Sequence, residues 1–223
     1  MRSPRARCGV THKVYVMSGP TIAIVDYQAG NLRSVQKALE HMGANTIVTS
    51  DKSEIATAHG LVFPGQGAND PSMCALRDRS LITPIKEFIS SGRPFMGVCL
   101  GLQLLLVNSE EGVEPGLGVI PGRVRRLPKE VKVPHMGWNK VHFQSSHPVL
   151  NGVSNDSYFY FVHSYYADPI DKDCIAGTST YGIKFCSAAA GESWIAFQFH
   201  PEKSGRVGLQ LYGNFVRFVD QTI

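Results

Sequence analysis

Disulfide frameworks and zinc clusters have nothing to rest on in this sequence. Its 223 residues hold five cysteines, Cys8, Cys74, Cys99, Cys174 and Cys186. The number is odd and no CxxC spacing occurs, as expected of reduced thiols in a cytoplasmic protein. Long hydrophobic runs are missing too. None approaches the roughly 20 residues that cross a bilayer, so no membrane partner is expected. A large excess of one sign of charge is missing as well. The formal net charge is +4, and Arg2, Arg5, Arg7 and Lys13 supply much of it with no acid among them. That excess is no evidence for nucleic-acid binding. Internal repeats, low-complexity tracts and linkers are absent, which leaves one domain long enough to bury a core.

The acid-poor, arginine-rich opening, MRSPRARCGVTHKVYV, fits either an organelle transit segment, such as a plastid one, or a start upstream of a true one at Met17. Residues 1–20 are therefore expected to be a disordered or dispensable extension, and residues 21–223 the folded domain. Within that domain TIAIVDY (21–27), NTIVTS (45–50), GLVFPGQGAND (60–70) and PFMGV (94–98) read as strands. AGNLRSVQKALEHMG, with Asn31 as its cap and Gly43 as its stop, reads as a helix, as do LITPIKEFISSG (81–92) and LGLQLLLVNS (100–109). Strands alternating with helices predict an α/β fold with a mostly parallel sheet flanked by helices. From about Gly118 the pattern becomes an antiparallel extension: GRVRRL, NKVHFQ, YFYFVHSYY, CIAGTST, IKFCSAAAG and WIAFQFH. A last helix covers residues 202–219.

MGVCLGLQLLL (96–106) carries the first chemical signal. Cys99 falls at the carboxyl end of a predicted parallel strand, where such sheets place their chemistry. Gly97 and Gly101 permit a sharp turn, as in a nucleophile elbow with cysteine in place of serine, and a helix start favours a thiolate. A buried packing cysteine fits equally. A cysteine nucleophile needs a base and the base needs an orienting group. His200 opens HPEKSG, and Glu202 lies two residues on, on the same side of an extended segment. A surface turn is the alternative. His163 is a rival base, but within its aromatic strand it suits a core or rim hydrogen bond better. Gly65, Gln66 and Gly67, in FPGQGA, end a strand in a loop whose N–H groups can serve an oxyanion, or form an ordinary turn.

Taken together, PGxG, then G-x-C-L-G-x-Q, then a distant H-P-E resemble the class I (triad) glutamine amidotransferases. VDYQAGNLRSV, EPGLGVIPGRVRRL, VPHMGWNKV, YFYFVHSYY and QFHPEKSG are similar to one branch of them, the glutaminase subunits of imidazole glycerol phosphate synthases in histidine biosynthesis. The resemblance implies Cys99 as nucleophile, His200 as base and acid, and Glu202 as its orienting partner. It implies Gln103, Ser164 and Tyr165 as contacts for L-glutamine, and Gly65, Gln66 and Gly67 as a gated oxyanion loop. It implies no metal or organic cofactor. It also implies a (β/α)8-barrel cyclase partner in a heterodimer, faced by Asn31, Trp138, Tyr160 and Lys203. Gln28 stands where a glycine is usual in this family, and Gln66 and Asn69 where apolar residues are. A subunit serving another acceptor, or a docking subunit without catalysis, remain the alternatives; intact Cys99, Gln103, His200 and Glu202 speak against the second.

Overall fold

A computed structural model describes residues 19–28 and 30–223. The expected extension falls almost wholly outside the described residues, Met17 included. The first half of the chain alternates: β1 (Thr21–Val25), α1 (Leu32–His41), β2 (Asn45–Thr49), α2 (Lys52–Thr57), β3 (Gly60–Gly65), α3 (Asn69–Asp78), α4 (Ile82–Ser90), β4 (Phe95–Cys99) and α5 (Leu100–Gln103). The second half is almost all strand: β5 (Leu106–Ser109), β6 (Ile120–Arg126), β7 (His135–Phe143), β8 (Ser157–His163), β9 (Tyr165–Pro169), β10 (Ile175–Tyr181), β11 (Ile183–Ala190) and β12 (Trp194–Phe197). The final helix is α6 (Gly205–Asp220).

The centre of the sheet is parallel, in the order β2-β1-β3-β4-β12. From β12 it continues antiparallel through β11, β10, β7 and β8. A branch, β5-β6-β9, joins at β11. The predicted class, a parallel sheet flanked by helices with an antiparallel extension, is the one observed. Side chains alternate across β1 with period two. Ile22 and Ile24 enter one core with Leu39 of α1 and Tyr212, Phe215 and Val219 of α6. Ala23 and Val25 enter the opposite core with Leu76 of α3 and Ile85 and Phe88 of α4. Both faces of the centre are covered, so β3 and β4 are buried along their whole length, while the edge strand β2 (NTIVT) keeps polar, partly exposed positions. Each fully buried Leu, Ile or Phe contributes about 2 kcal/mol.

Three local expectations are corrected. Residues 100–109 are not one helix: α5 lasts four residues and Leu106–Ser109 is a strand parallel to β6. The carbonyls of Leu104, Leu105 and Leu106 accept N–H groups from residues 117–120, which removes them from any helix ladder. A leucine run buried on every side has no polar face to set a period, so its pattern could not separate the two states. The WIAFQF strand is antiparallel only to β11; its other edge pairs parallel with β4 and completes the parallel centre. Asn31 precedes α1 but makes no side-chain cap. Two helices, α2 and α3, were not expected. Asp51 caps α2 by accepting the N–H of Ser53 at 2.7 Å.

Three histidines are buried neutral. Burial holds His135 and His147 down to about 4 and His163 down to about 3. The unfolded chain binds protons at these sites below about pH 6.5, where the folded chain does not. Their contribution is therefore complete above that pH and is lost as pH falls toward 4. Urea unfolding should show the midpoint dropping between pH 7 and pH 5 with net proton uptake on unfolding. A flat midpoint across that interval would contradict the burial of neutral rings.

Candidate active site

The site forms at the carboxyl ends of β3, β4 and β12, which lie side by side. Gly65 is register-paired with Cys99 and Val98 with Phe197. Cys99 ends its strand at φ 55°, ψ −109°, a conformation a non-glycine residue adopts at a cost of about 1–3 kcal/mol. Its two glycines explain how the turn is held. A Cβ on Gly101 would lie 2.0 Å from the Phe63 carbonyl oxygen, and one on Gly97 would lie 2.9 Å from Ala196 Cβ. α5 therefore sits directly on β3, and β4 directly on β12, with no room for a side chain between. The Leu100 N–H, first in α5, has no acceptor within that helix.

His200 follows β12. Its backbone N–H donates to the Tyr160 carbonyl at 2.9 Å. Its Nδ1 lies 2.8 Å from Glu202 Oε1, and both side chains are all but inaccessible. The pair is formed across the first turn of a short 3₁₀ segment, Pro201–Lys203, rather than along an extended one. A carboxylate at Nδ1 fixes the proton there, leaving Nε2 for the cleft. That Nε2 is buried and has no hydrogen-bond partner among the described residues. Burial pulls the ring pKa down, but the Cys99 sulfur and the Glu202 carboxylate outweigh it and push it up to about 9.

Cys99, His200, Gln66, Gly67, Gln103, Ser164 and Tyr165 share one cleft of about 400 Å³. Gly65 lies just behind it; a Cβ there would be 2.4 Å from Tyr27 Oη and 2.8 Å from Leu100 Cβ. Gly67 takes φ 104° with open space around it, so only backbone preference restricts its peptide planes. Gln103 is held by its amide nitrogen, which donates to the Tyr165 carbonyl at 2.8 Å and to Gln198 Oε1 at 3.0 Å. Two acceptors around one nitrogen settle its orientation and turn Oε1 away from them.

His163 has both ring nitrogens engaged. Its Nδ1 is 2.8 Å from the Tyr165 carbonyl, so Nδ1 carries the proton. Its Nε2 then accepts from His135 Nδ1 at 2.9 Å. Of the expected partner-facing residues, Lys203 is exposed at the cleft mouth. Trp138 is 56% exposed and its ring meets Tyr160 edge-on at 6.1 Å across β7 and β8. Asn31 is half-exposed, with its amide turned inward onto Glu202 Oε1.

Two contributors were missed by sequence reasoning. Gln198 is fully buried, bonds Gln103 and approaches Cys99 Sγ at 3.9 Å. Its signal was present: it stands two residues before His200, on the same side of the extended run WIAFQFH as read from the sequence. Glu111 lines the cleft, and its Oε2 accepts the Asn69 N–H at 2.8 Å, at the start of α3. Nothing in SEEGVE marked it out. Asp70 holds that acidic turn by accepting the N–H groups of Val113 and Glu114.

The family model for glutamine amidotransferase class-I matches residues 23–217. The imidazole glycerol phosphate synthase subunit HisH of Nostoc punctiforme is 49% identical over 208 residues, covering 92% of this chain and 99% of that protein. The protein of the same name from Synechococcus elongatus is 49% identical over 203 residues, 89% of this chain and 94% of its own. Among solved structures, one of PurLQS from Thermotoga maritima superposes with a TM-score of 0.71 at 16% identity, over 90% of this chain and 99% of that one. A Thermoplasma acidophilum protein assigned to GMP synthase gives 0.66 at 21% identity, over 91% and 95%. These structural likenesses concern the fold.

The close seat of α5 on β3 has a measurable consequence. Gly101→Ala should cost about 3 kcal/mol or more, because the added carbon meets backbone that cannot rotate away. Gly67→Ala, strained but unobstructed, should cost about 1 kcal/mol. Urea denaturation of the two variants measures this; equal stabilities would show that α5 is not packed as described.

Proposed function

The chain belongs to the class-I glutamine amidotransferase family, and from that membership we infer that it is the glutaminase subunit of an imidazole glycerol phosphate synthase in histidine biosynthesis. Its reaction is hydrolysis of L-glutamine to glutamate and ammonia. The observation that carries the assignment of roles is His200, with one nitrogen tied to a buried carboxylate and the other unpartnered in the cleft it shares with Cys99.

Cys99 gives its thiol proton to His200 Nε2, and its Sγ attacks the side-chain carbonyl carbon of glutamine. The oxygen becomes an oxyanion, met by the Leu100 N–H and by an N–H of the Gly65–Gly67 loop, an arrangement worth roughly 3 kcal/mol per donor. A ring pushed up to about 9 is protonated at neutral pH, so His200 can give a proton to the departing nitrogen. Ammonia leaves and a thioester to Cys99 remains. The now neutral His200 takes a proton from water, the hydroxide adds to the thioester, and glutamate is released. Glu202 keeps the ring in the tautomer that both halves require.

Substrate recognition follows from groups left free. The Oε1 of Gln103 accepts from the α-ammonium of glutamine, and the carboxylate of Glu111 opposes its charge across the cleft. Backbone groups of Ser164 and Tyr165 lie along the substrate. The ammonia passes to a (β/α)8-barrel cyclase, docked on the face that bears Trp138, Tyr160 and Lys203. Cytoplasmic residence belongs to the same proposal and fits the free thiols of Cys74, Cys99, Cys174 and Cys186. No helix among the described residues is long and apolar enough to cross a membrane.

Initial rates of glutamate release, with the cyclase present, test the roles. Cys99→Ala and His200→Asn should each lose roughly a thousandfold or more. His163→Asn should retain most of the chemical step, since an asparagine amide can still donate to the Tyr165 carbonyl. Hydrolysis by Cys99→Ala near the wild-type rate, or a reversed ranking of the two histidine variants, would overturn the assignment.

A further inference from the structure

Asn31 stands where a helix cap belongs and does not cap. It sits in the left-handed region at φ 70°, ψ 11°, directly before α1, whose first-turn N–H groups receive nothing from its side chain. An Asn at a helix N-terminus ordinarily lies in the extended region and turns its oxygen toward those N–H groups. Here the backbone is reversed and the side chain is aimed inward. Its Nδ2–H donates to Glu202 Oε1, the same oxygen that lies 2.8 Å from His200 Nδ1. The other carboxylate oxygen, Oε2, faces Tyr212 Oη at 3.4 Å. The Glu202 side chain is 1% exposed, so these neighbours, and no bulk water, determine where it points.

We propose that Asn31 is a positioning residue for catalysis, holding the Glu202 carboxylate on His200 so that the ring stays in one orientation while its proton moves. This rests on the glutaminase assignment of Cys99, His200 and Glu202. A carboxylate oxygen with two donors has a fixed direction. With Asn31 lost, Oε1 is held by His200 alone, and Glu202 can rotate about its last bond toward Tyr212, which already faces Oε2. The residue does not line the cleft, so it acts through Glu202 and not on glutamine. Asn fits the place for two reasons: it is among the few side-chain-bearing residues that tolerate this backbone region, and its amide supplies a donor without a charge.

Asn31→Gly tests this without threatening the fold, since glycine accepts the same φ freely. With the cyclase saturating, the variant should lose about tenfold in kcat with KM for glutamine unchanged, the size expected for one hydrogen bond to a charged group. The groups facing the pair are Cys99 and His163 on the ring side and Tyr212 on the carboxylate side. Removing a neutral donor leaves more negative charge on Glu202, which binds the His200 proton more tightly. The basic limb of the kcat/KM profile should therefore move to higher pH. Asn31→Asp sets a second carboxylate against Glu202 and should lose more than Asn31→Gly. Wild-type kcat in Asn31→Gly at saturating cyclase, with only a weaker cyclase affinity, would overturn the proposal and make Asn31 a docking residue. An unmoved pH profile alongside a lowered melting temperature would overturn it in favour of a structural role. Cys99→Ala is run in parallel: if that variant is active, the glutaminase assignment itself fails, which is a different result from either of these.

Discussion

The structure depends on how closely one turn of helix approaches one strand. With glycine at 101, α5 rests on the carbonyl of Phe63; with glycine at 97, β4 rests on Ala196 of β12. The register of β4 with β3 and β12 brings the three strand ends to one level, and these contacts leave no room for a side chain at either glycine. β3 ends in Gly65, β4 in Cys99, and β12 leads into His200. The proposed nucleophile, oxyanion loop and base come from segments far apart in sequence, yet they meet because their strands are adjacent in a parallel sheet. The strained backbone of Cys99 persists since both sides of the turn are packed, which is the condition under which such strain is retained at functional sites.

A second constraint is burial of charge. Glu202 is a carboxylate out of reach of water, and an isolated charge there would be strongly unfavourable. Its partners are His200, Asn31 and Tyr212, drawn from three different segments. Those donors offset the cost and also fix direction: a carboxylate so held cannot wander, and neither can the ring it holds. The His135 and His163 pair shows the opposite solution. Those rings are buried without a carboxylate and are kept neutral, and they work as a chain of donors ending on the carbonyl that also anchors Gln103.

Much of this was legible because it is local. The glycines flanking Cys99, the proline and glutamate after His200, and the glycines of FPGQGA each specify a turn within a few residues, and turns of that kind close parallel strands. The parallel centre itself followed from alternation. What escaped reading depends on distant partners. α3 begins where the Asn69 N–H meets Glu111, 42 residues away, and nothing near Asn69 announces it. Leu106–Ser109 became a strand because β6 was available beside it. β12 joined the parallel centre through β4, a strand far earlier in the chain. Asn31 carried the residue type of a cap, and only the position of Glu202 shows why it serves elsewhere.

The central claim is that the turn between Gly97 and Gly101 holds a nucleophile inside a glutamine-sized cleft. Labelling with an electrophilic chloroketone analogue of glutamine, followed by peptide mapping, tests it most directly. The account predicts a single adduct on Cys99, formed more slowly when glutamine is present, with Cys74, Cys174 and Cys186 unlabelled. Labelling of another cysteine in preference, or labelling of Cys99 at a rate indifferent to glutamine, would contradict it.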